Sequence, residues 1–225
     1  MRGKKTAALL LAVLLLIGTA GCGGTGHSGG LHVVVTVFPV YDWARVILGE
    51  DSGAELTWLM DGGVDMHSYQ PTAADLAAIA DCDVFIYIGG ASDAWAEEAA
   101  AQAGSRHMIA VDLMEALGTA VRLEELTAGT DTEGEEPEYD EHIWLSLPNA
   151  RILTAYIAAV LAEADPKHAE AYTANAEAYN SDLMLLDASY MGAVRSAEIK
   201  TLLFADRYPF RYLADDYGLT AYAAF

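Results

Sequence analysis

Residues 72–90, TAADLAAIADCDVFIYIGG, decide the fold. Thr72 with Asp75 three positions later has the spacing of a capping box, in which hydroxyl and carboxylate each satisfy a backbone N–H at a helix start. The spacing predicts a helix over 72–80. Val84 to Ile88 is then a short, unbroken apolar run, the pattern of a fully buried strand, and Gly89-Gly90 stops it.

The sequence on either side repeats this alternation. Upstream, His32 to Phe38 (HVVVTVF) reads as a strand ended by Pro39, Tyr41 to Leu48 as a helix, and Glu55 to Met60 as a second strand. Downstream, Ala94 to Ala103 is an alanine-rich helix and His107 to Val111 another strand. Strands alternating with helices predict an α/β fold with a parallel sheet and crossover helices.

Leu123 to Glu141 interrupts the pattern with nine acidic residues, Gly and Thr, and almost nothing apolar. A long solvated loop is the first expectation, with weak cation gathering as the second. Pro148 then marks a helix start, and Asn149 to Ala164 is amphipathic. Asp165-Pro166 reads as the N-cap and first position of another helix. Running to about Val194, roughly 28 residues at about 1.5 Å each make a rod some 40 Å long. Such a rod predicts a stiff spine between two lobes. Beyond it, Thr201 to Phe204 reads as a strand, Pro209 to Tyr217 as a helix and Leu219 to Ala224 as a strand. The expected organisation is an N-terminal α/β lobe over 31–164, a connecting helix over 165–195 and the start of a second, incomplete α/β lobe over 196–225.

The first residues read as an address. Arg2, Lys4 and Lys5 precede a wholly apolar run from Ala7 to Ile17, followed by Gly18-Thr19-Ala20-Gly21-Cys22. This is the layout of a secretory signal over 1–22, and the run is shorter than the roughly 20 residues of a spanning helix. A cysteine directly after Ala-Gly resembles a bacterial lipobox, with Thr19 where Leu or Val is usual. Cys22 is therefore the expected lipidation site, with plain secretion as the alternative. Residues 23–30 (GGTGHSGG) form a flexible linker. Cys82 is then the one cysteine left, so no internal disulfide is expected and its reading is a buried small apolar side chain.

Charge narrows the function. With 12 basic and 33 acidic residues the 225-residue chain carries a formal −21, which disfavours nucleic acid and attracts cations. In a parallel α/β sheet, ligands collect beyond the carboxyl ends of the strands. The loop after the second strand, Asp61 to Pro71 (DGGVDMHSYQP), places His67 at that edge with Asp65 beside it. His142 stands where the acidic segment ends, with Ile143 and Leu145 as core anchors that would aim its ring. Neutral imidazole suits borderline cations such as Zn²⁺. Taken singly, each of these histidines is also compatible with a purely structural role. His27, His32, His107 and His168 have weaker settings, the last on the exposed side of the spine.

Three stretches in order, GVDMHSYQPTAADLAAIADCDVFIYIGG, EHIWLSLPNARILTAYIAAVLAEADPKHAEAYTANAEAY and FADRYPFRYLADDYGL, resemble the zinc- and manganese-binding lipoproteins of bacterial ABC importers. The similarity runs from about Val33 to the end. It implies two α/β lobes with parallel sheets joined by one long, rigid helix, with the metal held between the lobes. By this resemblance His67 in MHSYQPT matches the first metal ligand and His142 in EHIWL the second. The third is usually a histidine in a His-Asp-Ala-Phe-like sequence. Here Phe204-Ala205-Asp206-Arg207-Tyr208-Pro209 has none, and Asp206 is the local substitute, an Asp206–Arg207 ion pair being the competing reading. The fourth ligand, an acidic residue late in the second lobe, has no counterpart, so the chain is expected to be C-terminally truncated. The acidic segment lies where zinc-specific members often carry a histidine-rich loop.

The expected function is capture of a divalent metal, Zn²⁺ before Mn²⁺, outside the cytoplasmic membrane, and delivery to the membrane permease of an ABC importer. The protein is expected to be a lipid-anchored monomer and not an enzyme. A metal-dependent hydrolase is the first alternative, but no His-Glu-x-x-His helix, Gly-x-Ser-x-Gly elbow or phosphate loop supports it. A surface adhesin or a binder of metal chelates is the second, with Tyr41, Trp43, Tyr69 and Trp95 as candidate crevice aromatics.

Overall fold

Four strands build the main sheet: β1 (His32–Val35), β2 (Glu55–Trp58), β3 (Val84–Tyr87) and β4 (Ile109–Asp112). All pair in parallel, in the spatial order β2-β1-β3-β4. The computed structural model describes residues 30–104, 107–124, 138–205 and 208–223. The expected leader with Cys22, the linker up to residue 29, acidic residues 125–137, and Asp206 with Arg207 lie outside the described residues.

The central strands β1 and β3 are apolar because both of their faces are covered. Val33, Val34 and Val35 of β1 are all fully buried, as are Val84, Phe85 and Ile86 of β3. Successive side chains on a strand point to opposite faces, and here they feed two separate cores. Val33, Val35, Val84 and Ile86 pack with α1 (Phe38–Leu48) and with two later helices, α5 (Leu147–Ala164) and α6 (Ala169–Ser196). Val34, Phe85 and Tyr87 pack instead with Ile79 of α2 (Ala73–Ala80) and Ala96 and Ala99 of α3 (Ala94–Ala103). Each large side chain buried in this way contributes about 1.5–3 kcal/mol. A short helix, α4 (Leu113–Leu117), follows β4 with Asp112 as its cap. Cys82 lies in the second core, and burial pushes its thiol up to about 12.

The local signals act as anticipated in most places. Thr72 accepts the Asp75 N–H at 3.3 Å and Asp75 accepts the Thr72 N–H at 2.7 Å, completing the capping box. Burial works against the ionised Asp75, but the Thr72 backbone and hydroxyl and the Tyr69 phenol outweigh it and hold the carboxyl below its usual range. Pro39 sits in the first turn of α1, so it opens a helix that starts earlier than Tyr41. At that position its missing N–H costs nothing and its fixed φ suits the helix. Pro148 opens α5 in the same manner.

Asp165-Pro166 corrects an expectation. Asp165 does not cap a new helix; it ends α5, its N–H bonding Leu161 O at 2.9 Å, and Pro166–His168 form a turn. The cap position of α6 belongs to His168, and the Asp165 carboxylate accepts from the His168 ring and from Tyr172 OH. His168 is thus half-buried in a turn rather than lying on the outer face of the spine.

Helix α6 has 28 residues, about 42 Å at 1.5 Å per residue. Its first half is anchored: Tyr172 and Ala176 are buried, Asn175 donates to Ile47 O at 3.0 Å and Tyr179 to Asp42 at 3.1 Å. Its second half exposes Met184, Leu185, Leu186, Tyr190 and Met191. The chain continues into β5 (Thr201–Phe204), α7 (Arg211–Tyr217) and β6 (Thr220–Ala223), and β5 and β6 pair in parallel as a second, two-stranded sheet. Among the described residues, no helix is long and apolar enough to cross a membrane.

Candidate metal centre

The strand order places a switch point between β1 and β3: the chain leaves β1 toward β2 on one side and returns to β3 on the other. The crevice beyond the carboxyl ends of the strands flanking such a point is where α/β sheets hold ligands. Loops from β2 and β3 meet the segment 138–146 at this edge.

His67 is carried on a single 3-10 turn, Met66–Ser68. Met66 is buried in the first core and anchors the turn, leaving the next residue exposed. The Asp65 carboxylate accepts the His67 N–H at 3.0 Å, and the ring Nδ1 lies 2.9 Å from Ser92 Oγ.

His142 stands before a second 3-10 turn, Ile143–Leu145, in which Ile143 is fully buried. Asp140 Oδ1 accepts both the His142 N–H, at 2.8 Å, and the ring at Nδ1, at 2.9 Å. A carboxylate on one imidazole nitrogen fixes the ring and its tautomer, leaving the other nitrogen as the free donor pair. The His142 ring also lies 5.3 Å, centroid to centroid, from Trp144.

The two imidazoles come together. Their centroids are 5.3 Å apart and their planes tilted by 52°. Two imidazoles sharing one ion through bonds of about 2.0–2.1 Å at a tetrahedral angle have centroids about 5 Å apart. The separation of the two rings is therefore of the size that one shared ion requires. Two nitrogens are half of a tetrahedral shell, and among the described residues no group of three or more His, Cys, Asp or Glu side chains forms a ready cage. Asp206, the third candidate, lies outside the described residues.

The acidic segment is not solvated at its end. Asp140 and Glu141 are buried, and Leu123 and Tyr139 pair across the base of the segment. Tyr212 of α7 is fully buried and links the second part of the chain to this base: its phenol donates to Asp140 O at 2.8 Å and accepts the Arg122 N–H at 3.0 Å. Arg122 also pairs with Asp215 at 2.9 Å.

Three further residues complete the surroundings: Ser92 and Asp93, which the sequence reading does not single out, and Glu141, which it places only in the acidic segment. Ser92 touches His67, and Glu141 Oε1 accepts the Ser92 N–H at 2.6 Å. Asp93 is fully buried; its Oδ2 accepts from Ile88 N at 2.9 Å and Thr36 Oγ1 at 3.3 Å, while Oδ1 has no partner among the described residues. Burial, reinforced by the nearby charge of Glu141, raises Asp93 to about 6 against these hydrogen bonds. No motif announces Ser92 and Asp93; the Gly89-Gly90 stop before them is the one available signal that a tight loop enters the ligand edge.

The other candidates go elsewhere. His32 Nε2 lies 3.2 Å from Thr57 Oγ1 within the sheet. Trp43 is in the core, Tyr41 stacks on Trp58 and Tyr69 packs on Trp95, so these aromatics have packing partners.

Comparison with known proteins gives the family. Residues 33–225 match the model of the zinc-uptake complex component A, periplasmic (ZnuA) family. The zinc-binding lipoprotein AdcA of Streptococcus pneumoniae is 31% identical over 221 residues, covering 96% of this chain and 43% of AdcA. The high-affinity zinc uptake system protein ZnuA of Bacillus subtilis is 28% identical over 232 residues, covering 96% of this chain and 70% of that protein. The crystal structure of Zn(II)-bound AdcA from S. pneumoniae superposes with a TM-score of 0.73 at 29% identity, over 88% of this chain and 40% of AdcA. The chain thus spans less than half the length of AdcA.

Proposed function

We infer function from one premise: the chain belongs to the ZnuA family of periplasmic zinc-uptake components. It acts as a solute-binding protein that captures a divalent metal, zinc in preference to manganese, and hands it to the membrane permease of an ABC importer. The observation that carries this reading is the meeting of His67 and His142, each with Nδ1 engaged by a neighbour and Nε2 left to bind. Both rings supply nitrogen to the ion, and Asp206 supplies oxygen from the second lobe. Nitrogen donors favour Zn²⁺; a richer oxygen set would favour Mn²⁺.

The ion is cargo, so the protein needs a closed shell and no open position for substrate water, and it works without turnover. Residues 31–164 form the first lobe, α6 (Ala169–Ser196) is the connecting helix, and β5, α7 and β6 belong to the second lobe. Export through 1–22 and lipid attachment at Cys22 hold a monomer at the outer face of the membrane, with 23–30 as the tether.

Zinc and manganese titrations of the wild type, His67→Ala and His142→Ala test this. Either substitution is expected to weaken zinc binding by more than about tenfold, and Asp206→Ala by less. A wild type that binds neither ion, or histidine variants that bind as tightly as the wild type, overturns the reading.

A further inference from the structure

We infer that Ser92, braced by Glu141, is the positioning residue that presents His67 to the ion; the role rests on the metal-capture reading above. His67 sits on an exposed turn, and the Asp65 bond fixes its backbone without fixing the ring. Ring orientation comes from outside that loop, through Ser92 Oγ at 2.9 Å from Nδ1.

Ser92 is itself held. Its N–H meets Glu141 Oε1 at 2.6 Å, and Glu141 is only 5% exposed. The carboxylate reaches Ser92 by lying against Gly90. A Cβ at residue 90 would fall 2.6 Å from both Glu141 Cγ and Oε1, and the glycine has φ +82°. Both the space and the backbone conformation at residue 90 therefore call for glycine.

A neutral imidazole has one N–H and one lone pair. With Nδ1–H donated to the serine oxygen, Nε2 keeps its lone pair facing outward. The same polarity holds at His142, where Nδ1 meets Asp140. The adjacent residues Asp140 and Glu141 thus serve one imidazole each, the first directly and the second through Ser92. A shift of this dipeptide moves both rings together.

The test uses the full chain and two readouts. Long-range ¹H–¹⁵N spectra of the metal-free protein at about pH 8, above the ordinary imidazole range, report the His67 tautomer, and zinc titration reports affinity. The wild type is expected to hold His67 as the Nδ1–H form. Ser92→Ala should shift it toward Nε2–H and weaken zinc binding about 10- to 100-fold, as loss of an orienting partner does. Ser92→Thr, which keeps the hydroxyl, should restore both. Glu141→Ala should move both readouts in the Ser92→Ala direction.

A wild-type Nε2–H tautomer, or a Ser92→Ala protein with unchanged tautomer and affinity, overturns the inference. So does lost affinity without a tautomer change, because that loss would come from packing. The tautomer is read without metal, so a wild type that binds no zinc sinks the capture reading while the spectra still judge how His67 is held.

Discussion

The two sheets of this protein are built from similar strands and meet opposite fates. In the main sheet, β1 and β3 lie in the middle, and helices cover both faces, so Val33, Val34, Val35 and Ile86 are sealed. In the β5–β6 pair, Leu203 is 80% exposed and its register partner Tyr222 is 60% exposed. Thr201–Phe204 (TLLF) and Val84–Tyr87 (VFIY) look alike as sequence. Among the described residues, what separates them is the number of layers stacked on them. Apolar character permits burial, and neighbours decide it; a two-stranded sheet without both covers is marginal by itself.

The largest expected effect contrasts one residue from each sheet. Ile86→Ala empties a sealed position and should cost about 2–5 kcal/mol in denaturant unfolding. Leu203→Ala removes exposed surface and should stay within about 0.5 kcal/mol. Equal costs would show that the second sheet is covered in solution and break the contrast.

A second effect comes from the price of sealing the main sheet's edge, where Asp93 is buried and raised to about 6. Its folded value lies above the unfolded value of about 3.9, so between these the folded state binds the proton more tightly. The Asp93 contribution is most favourable below pH about 4, falls as pH rises toward about 6, and is level beyond. The difference in unfolding free energy between wild type and Asp93→Asn should decline across that window by up to about 3 kcal/mol. A flat difference would mean that water or a counter-charge reaches the carboxylate.

The smallest effect concerns the joint between the two parts. Tyr212→Phe removes a phenol that serves the Arg122 N–H and the Asp140 carbonyl together. About 1–2 kcal/mol of stability should be lost, and hydrogen exchange at Arg122 should quicken more than at Val34. Equal protection at both amides would show that α7 does not secure the base of the acidic segment.

Much of the first sheet was legible because its signals are local. Thr72 and Asp75 define their own helix start, and Val84 to Ile88 needs no partner to be recognised as a strand. Asp165-Pro166 misled because the same pair that can open a helix can also close one, and the choice lay with the His168 ring and Tyr172. The site was legible only in part. His67 and His142 are far apart in the chain, and a family resemblance, not spacing, paired them. Asp140 and Glu141 read in sequence as part of a solvated acidic run because composition says nothing of Tyr212 and Gly90, which lie against them in the folded chain. Ser92 carries no motif; its importance is a matter of where one hydroxyl lands.

The strand order has a kinetic corollary. The loops bearing the two imidazoles follow β2 and β4, and those strands share one sheet only through the pairing of β1 with β3, which skips over β2 and closes a long stretch of chain. Pairing over that range is slow to form. A newly made or partly opened molecule therefore lacks the meeting of His67 and His142, which is a property of the finished fold alone.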